Sequence, residues 1–168
     1  PLDTLKILND TVPAKRRIQS PEKLARALKK AAEAVGNPDV ITNDGEWIWA
    51  KERVVQDYIA KKEPVKQIPV QAFQIGPVVI LANPAEYFCQ LGLDIKARSK
   101  FPVTFVSELS NDCVGYVPTE DAFGGSGGGY ETLLTSYSNL EPSAGSKIAD
   151  ACVRLADMLT PGSMPKAA

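Results

Sequence analysis

Two short loops carry the residues of this chain best suited to chemistry. Asn83-Pro84-Ala85-Glu86 follows an apolar run that ends at Ala82, and Asn111-Asp112-Cys113-Val114-Gly115-Tyr116 follows another that ends near Leu109. Each loop ends in an oxygen ligand, a carboxylate at Glu86 and a phenol at Tyr116. A phenol is a poor metal ligand at neutral pH unless a cation lowers its pKa of about 10. The chain has no histidine at all. A hydrolytic site built on these two oxygens must therefore take its imidazoles from another polypeptide segment, and the site is expected to be incomplete. Each residue also has a plain alternative. Glu86 sits where a strand is expected to turn into a helix, so its carboxylate would stand at the carboxyl edge of a sheet, where α/β ligand sites lie. An acid in a first helical turn is also favoured by the helix dipole without any function. Tyr116, in a loop with asparagine and glycine, would otherwise cap a core.

Composition narrows the classes. The chain has 168 residues with 44% hydrophobic content, the size of one domain with material for a buried core. Its 19 basic and 20 acidic residues leave a net charge of -1, interspersed along the chain. No basic stripe is interleaved with aromatics, so nucleic acid is not an expected partner. The apolar stretches, such as Val78 to Ala82, are far shorter than the roughly 20 residues that cross a bilayer, and no charged-then-apolar segment opens the chain. A soluble chain without a transmembrane segment is expected. It starts at Pro1 rather than methionine, which fits a processed chain, a trimmed one or the C-terminal piece of something larger. Three widely spaced cysteines, Cys89, Cys113 and Cys152, indicate neither a disulfide framework nor a metal knuckle. They are expected to be small core residues, with a Cys89 to Cys113 bridge as the alternative because both flank the candidate site.

The elements that must position these loops are legible in part. Residues 1–19 read as a polar, extended lead-in lying over another surface. Ser20-Pro21 supplies an N-cap and a first-turn proline, and Leu24, Ala27, Leu28, Ala31 and Val35 follow at helical spacing up to Gly36. A second helix is predicted from Glu46 to Ala60, capped near Asp44, with Trp47, Ala50, Val54 and Tyr58 on one face and Trp49 packing against a neighbour. From Gln67 the pattern changes to strands, Ile68 to Phe73, Val78 to Ala82 and Val103 to Leu109. Between the last two, Glu86 to Ala97 carries Phe88, Leu91 and Ile95 at helical spacing. The resulting strand, helix, strand unit makes the fold class mixed α/β, in layers with flanking helices. A last helix is predicted from about Ser143 to Leu159, with Ile148, Cys152, Leu155 and Leu159 on one face. Residues 20–160 form the domain, and 161–168 a loose tail.

The run Gly124-Gly125-Ser126-Gly127-Gly128-Gly129 invites a phosphate-loop reading. It lacks the GK[ST] ending, and no convincing helix follows to offer its N-terminus. A flexible loop, or a mobile lid over a neighbouring pocket, fits it as well. A phosphate-binding domain would need an anion affinity that disappears when these glycines become alanine.

Several words of the sequence occur together in one known family. Pro84-Ala85-Glu86, Leu91-Gly92, Ile95-Lys96, Asn111 through Thr119 and Gly129-Tyr130-Glu131 resemble, in order, the later part of the neutral/alkaline non-lysosomal ceramidase domain. The bacterial variant is the most similar, and the resemblance spans about Gln67 to Leu159. It implies a zinc amidohydrolase of the ceramidase type, in which a zinc-activated water cleaves the amide of an N-acyl sphingolipid or similar lipid. Carried over residue by residue, it makes Glu86 and Tyr116 metal ligands, gives Tyr116 a catalytic part, and leaves Asn111 and Tyr130 to orient them or touch substrate. The family's two histidines have no counterpart here. They would come from an N-terminal part of the same protein or from a second chain. Ala85 stands where the family has a turn glycine, and Cys113 where it has an aromatic residue, implying a different substrate rim. Location outside the cytoplasm follows from the resemblance alone. The competing expectation is a non-catalytic binding or structural subunit that keeps the fold without the metal.

Overall fold

The computed structural model describes residues 5–37, 39, 44–125 and 128–164. Its centre is a four-stranded sheet in the order β1-β2-β3-β5. Strand β1 is Leu5–Lys15, β2 is Val65–Ile75, β3 is Val78–Ala82 and β5 is Val103–Ser107. The first three run antiparallel, whereas β3 and β5 are parallel and joined by a crossover. That crossover holds the two-residue strand β4, Glu86–Tyr87, and helix α3, Cys89–Arg98. The mixed α/β class expected from the pattern is the class observed.

Alternation along β2 decides which face is covered. Ile68, Val70, Ala72 and Gln74 are buried, and the residues between them are not. The covering layer is α4, Ala144–Asp157, with α3 beside it. Ile148, Cys152 and Leu155 of α4 meet Val12, Ile68, Val79 and Leu81 in one core. Gln74 is accommodated there because its amide donates to the carbonyls of Gly76 and Thr160 at 2.9 and 2.7 Å. The opposite face is apolar as well. Register aligns Leu5, Ile75, Val78 and Val103 in one row and Ile7, Phe73, Ile80 and Phe105 in the next. Leu5, Ile7, Ile75 and Phe105 are exposed there.

The lead-in expected over residues 1–19 is an integral part of the sheet from Leu5 onward. All eleven residues of β1 pair with β2, and Val12 and Ala14 enter the core. Residues 1–4 and 165–168, at the two ends of the expected lead-in and tail, lie outside the described residues. Helices α1, Pro21–Ala32, and α2, Gly45–Lys62, form a hairpin connected to β2. Their caps are as expected, with Ser20 accepting from Lys23 N–H and Asp44 from Trp47 N–H. The expected apolar faces are less covered than helical spacing implies. Val35 falls beyond the last turn of α1 and is exposed, as are Leu28 and Tyr58. Of the cysteines only Cys152 is a core residue. Cys89 and Cys113 are free and exposed, so the alternative bridge between them does not form.

Candidate functional site

The site is assembled by two of the shortest strands in the molecule. β4 pairs in parallel with β6, Tyr116–Val117, and the register sets Glu86 directly beside Tyr116. The backbone fastens the pair: Glu86 N–H donates to Gly115 O at 3.0 Å and Phe88 N–H to Val117 O at 3.3 Å. The preceding turn is closed by Asn83, whose Oδ1 accepts from Ala85 N–H at 3.0 Å. Ser110 and Val114 N–H groups reach back to the Asn83 and Pro84 carbonyls at 2.9 and 3.1 Å. Ala85 is fully buried, and its φ is not positive, so alanine takes this place in the turn without strain. Because α3 begins only at Cys89, Glu86 is a strand residue and not a first-turn acid. The dipole explanation of its position therefore falls.

A cluster of phenols surrounds the carboxylate. Tyr116 Oη and Tyr130 Oη are 3.1 Å apart, and their rings meet edge to face with centroids 5.3 Å apart. Tyr137 packs edge-on against Tyr116 at 5.8 Å and donates its hydroxyl to Glu86 Oε1 at 2.5 Å. The Cys113 thiol donates in turn to Tyr137 Oη at 3.4 Å. Gly115 makes this closeness possible. Its φ is +72°, and a Cβ there would stand 2.1 Å from the Tyr137 carbonyl oxygen. The bond to Tyr130, with burial and the Glu86 charge, pushes the Tyr116 phenol well above its ordinary range. Bonds to Cys113 and Glu86 do the same for Tyr137. Of the two, Tyr137 is the phenol that donates to the Glu86 carboxylate, while the Tyr116 hydroxyl shares its hydrogen bond with Tyr130.

Two open cavities meet at Tyr116. One of about 210 Å³ is lined by three carboxylates, Glu86, Glu108 and Glu131, beside Tyr87 and Phe88. Another of about 350 Å³ reaches Tyr116, Tyr130 and Tyr137 from the side of Trp49, Glu52 and Ser136. Trp49, expected to pack against a neighbour, instead lines cavity wall and is about half exposed.

Of the four site residues read from the sequence, the structure brings Glu86, Tyr116 and Tyr130 together. Asn111 is turned elsewhere: it sits at a positive φ of 68°, and its amide donates to Gln71 Oε1 at 3.1 Å. Tyr137, Glu108 and Glu131 are the members that sequence reasoning passed over. The glycine run lies across the described boundary, with residues 126 and 127 outside it, and leads into a single 3-10 turn at Tyr130–Thr132.

The donor chemistry suits a hard or borderline cation, since a carboxylate and a phenol share one strand edge. The number of donors does not complete a site. Among the described residues no three His, Cys, Asp or Glu side chains are grouped to hold a metal ion. Glu86 and Tyr116 therefore fit zinc as part of a donor set, not as a whole one.

No family model and no curated protein matches this chain. Among solved structures it is similar to a ceramidase complexed with C2, at 20% identity and a TM-score of 0.42 over 62% of this chain. It is also similar to neutral ceramidase from Pseudomonas aeruginosa, at 16% identity and a TM-score of 0.40 over 61% of this chain. The chain spans 17% and 18% of the length of those two structures.

Proposed function

We propose that this chain is one part of a ceramidase-like zinc amidohydrolase, supplying a carboxylate, a phenol and one wall of the cleft for an N-acyl lipid or similar amide. The observation that carries the reading is the pairing of Glu86 with Tyr116 in one register, with the Tyr137 hydroxyl holding the carboxylate. Glu86 and Tyr116 would hold the metal together with histidines from an N-terminal part of the same protein or from a second chain. When bound, zinc supplies a Lewis acid for the amide carbonyl and acidifies water. This chain's own residues do the positioning. Tyr137 fixes the Glu86 carboxylate by its hydrogen bond. Tyr116 would bind the metal as a phenolate or, kept as a phenol, would instead donate toward charge developing on the carbonyl oxygen. Tyr130 sets the orientation of Tyr116 through the contact between their hydroxyls.

A second feature supports the partial nature of the chain. The outer face of the sheet presents two in-register apolar rows, ending in the exposed Leu5, Ile7 and Phe105. A contiguous apolar face of this kind belongs against more protein.

The test is zinc content and amide hydrolysis of the protein purified with every associated chain retained, in wild type and in Glu86→Gln. The expected outcome is about one zinc per copy in wild type, lost together with hydrolysis in Glu86→Gln, with the melting temperature little changed. Full zinc and full activity in the variant would remove Glu86 from the site. No zinc and no histidine-bearing partner in wild type would leave a binding or structural module.

A further inference from the structure

A different cavity, of about 690 Å³, opens between the start of α1, the outer side of α2 and the segment Thr132 to Leu134. Its volume is that of a small-molecule site. Three cationic side chains line it, Arg17, Lys23 and Arg53, and no aspartate or glutamate does. Arg17 is held in place by two carbonyls, donating to Thr132 O and Ser138 O at 2.8 Å each, and lies over the Phe123 ring at 4.9 Å. Among the described residues no carboxylate forms an ion pair with it. Lys23 and Arg53 likewise have no ion pair among the described residues. In a chain of net charge -1, three unneutralised cations around one opening are a local concentration of positive potential.

Ile18, Trp49, Leu133 and Leu134 share the lining with Gln19, Ser20 and Thr132, and the first three are uncovered. Ile18 is 78% exposed, Trp49 46% and Leu133 44%. Cations and exposed apolar side chains around one opening complement a molecule that carries both an anionic group and an apolar body. We propose that this cavity binds a small anionic amphiphile, its phosphate or carboxylate head on Lys23 and Arg53 and its aliphatic body along Trp49, Ile18 and Leu133. The site does not need the zinc reading to be right. Its link to the phenol cluster is Trp49, which lines this cavity and also the one that reaches Tyr116 and Tyr130.

The experiment is calorimetric titration of the purified full protein with octyl phosphate, octanoate, octanol and inorganic phosphate, below the micellar range. Octyl phosphate or octanoate is expected to saturate at one per chain and to bind at least tenfold more tightly than octanol or inorganic phosphate. Which head group wins distinguishes a phosphate ligand from a carboxylate one. The double variant Lys23→Met/Arg53→Met is expected to weaken that binding by about tenfold or more, since each lost charge-assisted contact is worth roughly that factor. Lys23→Arg/Arg53→Lys should restore it, with circular dichroism confirming the fold in each case. Neither amphiphile binding, inorganic phosphate or octanol binding as well as the amphiphiles, or unchanged affinity in the double methionine variant would each overturn the proposal.

Discussion

At the scale of single residues, the position of the Glu86 carboxylate depends on a neighbour that is distant in sequence. The Tyr137 hydroxyl donates to Glu86 Oε1 across 51 residues of chain, while its ring supports that of Tyr116. Tyr137→Phe keeps the ring contact and removes the bond, freeing the carboxylate to rotate. Groups that orient a metal ligand typically change activity or affinity by about 10- to 100-fold when removed. The expected outcome for the assembled protein is therefore a fall in amide hydrolysis of that order. The melting temperature should hold, because Tyr137 is about half exposed. A split between kcat and KM separates this role from substrate binding: positioning lowers kcat, whereas a lost substrate contact raises KM. Glu86 and Tyr116 were legible because each ends a word with recognisable spacing after an apolar run. Tyr137 was not, since Ser136-Tyr137-Ser138 has no local pattern and its partner is supplied only by the fold. Asn111 shows the converse failure. It belongs to the right word, yet its left-handed backbone aims the amide at Gln71.

At the scale of elements, two glycines in neighbouring helices make opposite demands. Gly92 lies inside α3, and a Cβ there would meet nothing within 4 Å. Gly92→Ala should stabilise the protein by about 0.5–1 kcal/mol through helix propensity and a less flexible unfolded chain. Gly145 lies in the first turn of α4, where the two helices and the Pro118 backbone converge. A Cβ would stand 2.6 Å from Leu91 Cδ1 and 3.1 Å from Pro118 O, and the Gly145 carbonyl already accepts the Tyr87 hydroxyl at 2.5 Å. Gly145→Ala should destabilise by about 1–3 kcal/mol. Urea unfolding of both variants checks the pair, and a gain at Gly145 would mean that Leu91 yields freely. The helices and the strands β2, β3 and β5 were readable because their periodicities are local. β1 was not, because Asn9, Asp10, Thr11 and Pro13 break its alternation and its partner strand begins 50 residues after it ends. β4 and β6 are too short to carry any period, so Glu86 was read into a helix that begins at Cys89.

At the scale of the whole molecule, stability is divided unevenly. The buried apolar core draws on β1, β2, β3, α3 and α4, and on no residue of α1 or α2. The helical hairpin is instead fastened by polar contacts: Trp47 Nε1 to Ala31 O at 3.1 Å within it, and Gln56 Nε2 to Arg17 O at 2.5 Å and Glu52 to Ser136 at its base. Segments with few buried apolar contacts open below the global unfolding free energy. Amides of α1 and α2 are therefore expected to exchange through a local opening, and those of β2, β3 and α4 only through global unfolding. Leu81→Ala, a fully buried core truncation costing about 2–5 kcal/mol, should speed exchange in the sheet and α4. Trp47→Phe should speed it in the hairpin alone. Acid adds a directional test. Asp44, the cap of α2, bonds to Lys30 of α1 and to the Trp47 N–H, which hold its carboxyl below the ordinary aspartate value of 3.8. Glu33 shares Lys30 from the α1 side, and the two acids raise the lysine. Because the aspartate is depressed, its contribution is complete above about pH 4 and is lost as pH falls through its lower folded value. The raised lysine contributes below its ordinary value and loses that contribution only in strong alkali. Hairpin protection, corrected for the intrinsic exchange rate, should thus be flat through neutral pH and fall in acid before the sheet does. In Asp44→Asn, which keeps a cap oxygen but no charge, that acid step should shrink, the remainder belonging to Glu52 and Glu63, whose carboxyls are also held below the ordinary glutamate value. Uniform protection across hairpin and sheet would show that the hairpin is part of one cooperative unit.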